Sequence, residues 1–107
     1  MTSEELLGLF VGKIVVVRGR DAGVHLGTLV GAACHEGVSL AALKDSRRLW
    51  HWTADEEDSA KSFTLSGIAL HGVPSGSRMA EMIEDVIIVA GWCELLPLKP
   101  EAISTMK

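Results

Sequence analysis

Ser46-Arg47-Arg48-Leu49-Trp50-His51-Trp52 is the stretch on which the reading of this chain turns. It gathers two arginines, a histidine and two of the three tryptophans. As a strand, it alternates between faces, so Arg47, Leu49 and His51 share one side and Arg48, Trp50 and Trp52 the other. The second side is a cation followed by two indoles. Such a surface can hold an anion and a planar ring, the two parts of a nucleotide. The competing reading buries Trp50 and Trp52 in a core and pairs the arginines with local carboxylates, because tryptophan is mostly buried in folded proteins.

Working outward, the flanking segments read as framework for this strand. Residues 14–17 are Ile-Val-Val-Val, a β-branched run that predicts a strand. Arg20-Asp21-Ala22-Gly23 has turn chemistry, and residues 24–30 alternate again, which completes a hairpin. Gly23 and Gly27 fall where a backbone turns or lets another group approach closely. At Gly27 a bulge or a tryptophan packed over it is the alternative. Residues 31–37 read as a loop, 38–43 as a third strand, and Lys44-Asp45 as the turn into the 46–52 strand. Short strands in close succession imply an antiparallel meander.

Thr2 and Glu5 form a capping box before an amphipathic helix over residues 3–10, stopped at Gly12. Residues 64–72 predict a second short helix with Thr64 as its cap and Leu65, Ile68 and Ala69 as an apolar stripe. Gly67 costs this helix about 1 kcal/mol relative to alanine. Residues 85–89 and 92–96 predict two more strands, and Pro100 opens a C-terminal helix. The expected fold is α+β: a small antiparallel sheet of five to six strands in a meander, with short helices at the N-terminus, around 64–72 and at the C-terminus. Residues 1–107 are expected to form a single domain, with an N-terminal arm over 1–11, a β-rich core over 13–97 and a helix over 99–107.

The 107 residues carry ten Lys+Arg against fourteen Asp+Glu, a net charge of −4. Broad nucleic-acid binding needs a basic field, so the balance argues against it. The charge is uneven, however. Residues 13–48 hold six basic residues and three acids, and Asp55-Glu56-Glu57-Asp58 follow them. A local cationic pocket on an acidic protein suits a small anion better than a polymer. With 48% hydrophobic residues and a mean hydropathy of +0.28, a chain this short has more apolar surface than one small core hides, which predicts a homo-oligomer. The helix over 3–10 and the run 86–90 are the expected contact surfaces.

No apolar run approaches the roughly 18 residues of a membrane span. The acidic start of residues 1–10 reads against a secretory signal, so Cys34 and Cys93 are expected as reduced thiols in a cytoplasm. Their spacing matches no zinc pattern, and no metal or other cofactor is expected.

Three ordered segments resemble a family of small uncharacterised phage and prophage proteins, one of the domains of unknown function. They are Ala22-Gly23-Val24-His25-Leu26-Gly27-Thr28-Leu29 after Val17-Arg18, then Ser46 to Trp52, then the helix beginning at Thr64 and ending in Gly72-Val73. Glu94-Leu95-Leu96-Pro97 stands at the closing strand. The resemblance covers about residues 13–97. Gly19-Arg20 depart from its pattern, residues 53–63 are more acidic, and residues 1–10 are extra. It implies a phage origin and action in the cytoplasm of an infected bacterium, and it transfers no catalytic or binding residues.

No Ser-His-Asp order, carboxylate pair, P-loop or metal motif stands out, so the chain is not expected to be an enzyme. The reading that uses the most residues is a binding module for a nucleotide-type small molecule. Arg18, Gly23, His25, Gly27, Arg47, Arg48, Trp50 and Trp52 are its site residues, with Arg20 beside them. Guanidinium forks suit phosphate oxygens, and an indole face suits a base. A phage gains by sequestering a (cyclic) nucleotide second messenger through which its host triggers defence. The alternatives are a virion or host-protein-binding interaction protein, and a small nucleic-acid-binding protein.

Overall fold

The computed structural model describes residues 1–51, 65–74 and 77–106. Its elements are α1 (Ser3–Leu7), β1 (Ile14–Gly19), β2 (Gly23–His35), β3 (Val38–His51), α2 (Leu65–His71), β4 (Arg78–Met79), β5 (Ile87–Ala90), β6 (Trp92–Pro97) and α3 (Pro100–Ile103), with a 3-10 turn at Ser104–Met106. The expected class holds: a six-stranded antiparallel sheet carries short helices at both ends and mid-chain. Trp52, the acidic segment 53–63 and the Thr64 cap lie outside the described residues.

α1 begins as read, with Thr2 Oγ1 accepting the Glu5 N–H at 3.1 Å. It ends earlier, at Leu7, because the following bonds tighten to i→i−3 spacing, from Leu9 to Leu6 and from Val11 to Gly8. Gly12, at φ 89°, reverses the chain into β1. In β1, Val15 and Val17 pack into one core and Val16 into another. A strand buried on both faces has no polar alternation, which is why residues 14–17 are uniformly apolar.

Two connections differ from the sequence expectation. Residues 31–35 are not a loop but the continuation of β2, paired with residues 38–42 of β3. The turn between them is only Glu36-Gly37, at φ 51° and 81°, the positive pair that a two-residue hairpin requires. Lys44-Asp45 is not a turn either. The β2–β3 register slips between Leu26 and Thr28, so Asp45 and Ser46 together oppose Gly27 in a β-bulge. Asp45 sits at φ 52°, a left-handed conformation that aspartate tolerates better than most residues. The two predicted strands are therefore one bent strand of 14 residues.

The bend divides the partners of β3. Its first half pairs with β5 (Leu40↔Ala90 to Leu43↔Ile87), and its second half with β4 (Leu49↔Met79). β6 pairs with the far edge of β1. Gly91, at φ 72°, carries the chain from β5 to β6; its N–H donates to Ser39 O at 2.7 Å and its carbonyl accepts the Arg20 N–H at 3.0 Å. The sheet thereby curls towards closure. Val89 from one edge and Leu95 and Trp92 from the other join Val15, Val17, Leu29, Ala41 and Leu43 in the inner core. On the outer face Val16, Val24, Leu26 and Leu49 are covered by Leu65, Ile68 and Ala69 of α2 and Ala102 of α3. Each fully buried side chain of this size contributes about 1.5–3 kcal/mol. α2 stops at Gly72, whose N–H still reaches Ile68 O at 2.8 Å, and the next N–H, of Val73, donates to Thr105 Oγ1.

Candidate functional site

The β1–β2 hairpin turns through Arg20, Asp21 and Ala22, with Gly19 paired to Gly23. Gly23 has φ 80°, the left-handed residue that closes a three-residue hairpin loop. Across from β2, β3 runs with His25↔Arg48 and Val24↔Leu49 in register. Cross-strand partners share a face, so Arg48 projects on the same side as His25 and Val17 while Leu49 enters the outer core. Trp50 follows Arg48 on its side. It is 61% exposed, so the core reading of this tryptophan does not hold.

Arg48 is held between two neighbours. Its guanidinium lies 4.3 Å from the centroid of the Trp50 ring. On its other side is Gly23, where an added Cβ would stand 2.9 Å from Nη2 and 3.1 Å from Nε. Glycine is favoured at position 23 for its φ, and a Cβ there would also push the Arg48 guanidinium aside. Stacking uses the flat face of a guanidinium and leaves the N–H donors in its plane. Among the described residues, no carboxylate lies within ion-pair distance of Arg18, Arg20 or Arg48 and no acceptor takes an Arg48 N–H.

These residues border a cleft of about 270 Å³ at the turn end of the hairpin, lined by Arg18, Gly19, Arg20, Gly23, Val24, Arg48, Leu49 and Trp50. Arg48 and Trp50 reach it from one face of the sheet and Arg18, paired with Val24, from the other, at the Gly19–Gly23 end of the hairpin. The cleft is smaller than the 300–1,000 Å³ of most small-molecule sites.

The other expected site residues are placed elsewhere or differently. His25 is half-buried, and its Nε2–H donates to Ala22 O at 2.8 Å, so this histidine ties down the hairpin turn. Gly27 faces the bulge: a Cβ there would stand 2.9 Å from Ser46 Cβ and 3.0 Å from Ser46 Cα. The bulge alternative therefore describes Gly27, and Arg48 is not its neighbour in the cleft. Arg47 projects opposite to Arg48, and its Nε donates to Ala80 O at 2.8 Å, linking β3 to the segment after β4. Arg20 was only secondary in the sequence and is a full member of the cleft, brought in because its N–H is bonded to Gly91. Gly19, marked in the sequence only as a departure from the resembled family's pattern, also lines the cleft. Among the described residues no group of three or more His, Cys, Asp or Glu could hold a metal ion, and no helix is long and apolar enough to cross a membrane.

Comparison with known proteins gives a family without a function. No curated protein sequence and no solved structure matches the chain. A family profile described as "Domain of unknown function (DUF6948)" matches residues 12–106, from the reversal before β1 through the 3-10 turn after α3. The matched span includes every residue of the Arg18–Arg48–Trp50 cleft, and the chain belongs to that family of domains of unknown function.

Proposed function

We propose that the chain is a non-enzymatic binding protein for a small phosphorylated ligand that carries a planar ring, and that it acts by sequestering that ligand. The observation that carries this reading is the guanidinium of Arg48, fixed between Gly23 and the Trp50 ring with its N–H donors unused among the described residues. A half-buried cation normally finds an acceptor. Arg18 and Arg20 add charge at the same cleft, and the exposed face of Trp50 offers a stacking surface beside it. A nucleotide supplies both complements. The motif resemblance to phage proteins gives the biological setting: a phage product in the cytoplasm of an infected bacterium, holding a (cyclic) nucleotide signal away from host defence. The reading asks for binding alone and no chemistry.

Mass spectrometry of small molecules released by denaturing the purified protein, after exposure to a mixture of cyclic and linear nucleotides, tests it. Retention of a phosphorylated base by the wild type and not by Arg48→Ala is expected. A wild type that retains nothing contradicts the reading. A second reading, a protein that docks on a host or virion partner, draws on Met82, Ile83 and Ile88, which are 49%, 49% and 62% exposed.

A further inference from the structure

We infer that the outer edge of β2 is a strand-addition site for a second copy of this chain, independently of any ligand in the arginine cleft. Hydrogen-bond parity along the hairpin decides which way each backbone group of β2 points. In a hairpin closed by two residues, the flanking pair, His35 and Val38, bonds to each other, and bonding pairs then recur at every second position. Ala33 and Gly31 therefore point their backbone groups at β3. Ala32 and Cys34 point theirs away from it. The pattern on β3 agrees, since Ser39, of opposite parity to Val38, directs its carbonyl outward to the Gly91 N–H.

Among the described residues, the outward edge of β2 is occupied only at its beginning. Residues 23–28 pair with β1, and Leu29 exchanges hydrogen bonds with Gly12 N–H and Lys13 O. Beyond it, no backbone group among the described residues bonds Ala32 or Cys34 from that side. A groove of about 570 Å³ runs along this edge, lined on the α1 side by Ser3, Glu4, Leu7, Gly8 and Val11.

Open edges are usually blunted by charge, proline or a short strand. This one is not. Residues 26–34 contain no charged residue and no proline, and Gly31, Ala32 and Ala33 allow close backbone approach.

The occupant is a second copy because an antiparallel edge is its own complement under a two-fold axis. With the axis at Ala33, Ala32 of each copy faces Cys34 of the other, and the two outward pairs exchange four N–H···O=C bonds. The same register brings Glu36 of each copy to the Gly12–Lys13 end of the other, a carboxylate beside a cation. The apolar excess of a short acidic chain, mean hydropathy +0.28 and net charge −4, fits a protein that hides surface in this way.

Sedimentation at micromolar concentration should give twice 11.4 kDa for the wild type. Cys34→Pro removes one outward N–H and none directed at β3, and Ala33→Lys opposes two ammonium groups at the axis; both should sediment as single chains with unchanged far-ultraviolet circular dichroism. Should either variant unfold, the register is read directly from Ala33→Cys in a Cys34→Ser, Cys93→Ser background. That protein should form a disulfide-linked dimer under mild oxidation, because non-bonded cross-strand pairs bring Cα atoms to about 4.5 Å. A single-chain mass for the wild type overturns the inference. So does a dimer that survives Ala33→Lys, or an Ala33→Cys protein that does not cross-link.

Discussion

Gly27→Ala should destabilise the protein, although the substitution adds one methyl group to a position with an ordinary φ. At such a site alanine usually stabilises by about 0.4–1 kcal/mol, since it restricts the unfolded chain. Here the new Cβ would stand 2.9 Å from Ser46 Cβ, 3.0 Å from Ser46 Cα and 3.2 Å from Lys44 O. Two of those three atoms belong to backbone within the bulge, so no rotamer change relieves them. Overpacking of this kind costs about 1–3 kcal/mol, which exceeds the entropic gain. The net expectation is a loss of about 1–2 kcal/mol for alanine and more for valine. For a domain near this size the alanine variant should melt roughly 5–15 °C lower. Gly31→Ala is the internal control, because nothing lies within 4 Å of its Cβ direction and only the entropic term operates. Thermal unfolding followed by circular dichroism, on both variants, gives the comparison. A Gly27→Ala protein that melts at or above the wild-type temperature refutes the packing argument, and with it the separation of Gly27 from the ligand cleft.

Trp50→Ala should change the unfolding free energy by less than about 1 kcal/mol, whereas Leu49→Ala, one residue away and 2% exposed, should lose about 2–5 kcal/mol in chemical denaturation. Ser46→Ala should be neutral or stabilising on the same assay, because Ser46 Oγ is buried with no hydrogen-bond partner among the described residues and its removal spares a desolvated hydroxyl. Asp45→Val should cost about 1–2 kcal/mol and Asp45→Gly should not, since a β-branched side chain at φ 52° is strained and glycine is not. Gly23→Ala should weaken anion binding as well as stability, by pushing the Arg48 guanidinium off its seat, and a calorimetric titration with inorganic phosphate would show it.

The fold was legible where one residue type had one use. The Ile-Val-Val-Val run, the Thr2–Glu5 cap and the Leu65, Ile68, Ala69 stripe each dictated a strand or helix. Legibility failed where glycine, alanine and aspartate had two uses. Gly31, Ala32 and Ala33 lack the side chains that announce a strand, yet a half-exposed ribbon held by backbone pairing needs none. Lys44-Asp45 has turn chemistry, and the same left-handed aspartate that would end a hairpin here makes a bulge. At the site, alternation correctly separated Arg48 and Trp50 from Arg47 and Leu49. It could not place Arg20, which depends on a hydrogen bond to Gly91 some seventy positions along the chain, or reveal that Gly23 rather than Gly27 meets Arg48.

Ligand binding at the Arg48–Trp50 pair is most directly read from tryptophan fluorescence during titration with a cyclic dinucleotide and, separately, a linear mononucleotide. Trp50 is 61% exposed and stacks on Arg48, so a bound base should quench it saturably. Stacking of a base on an aromatic is worth about 1–3 kcal/mol. Trp50→Phe should lose most of the signal and keep most of the affinity, measured by calorimetry. Arg48→Ala should remain folded and bind about 10- to 150-fold more weakly, the 1.5–3 kcal/mol of a charged hydrogen bond. A saturable quench in the wild type that collapses in Arg48→Ala is the predicted result. An emission spectrum that no nucleotide alters, or equal binding by Arg48→Ala, would contradict it.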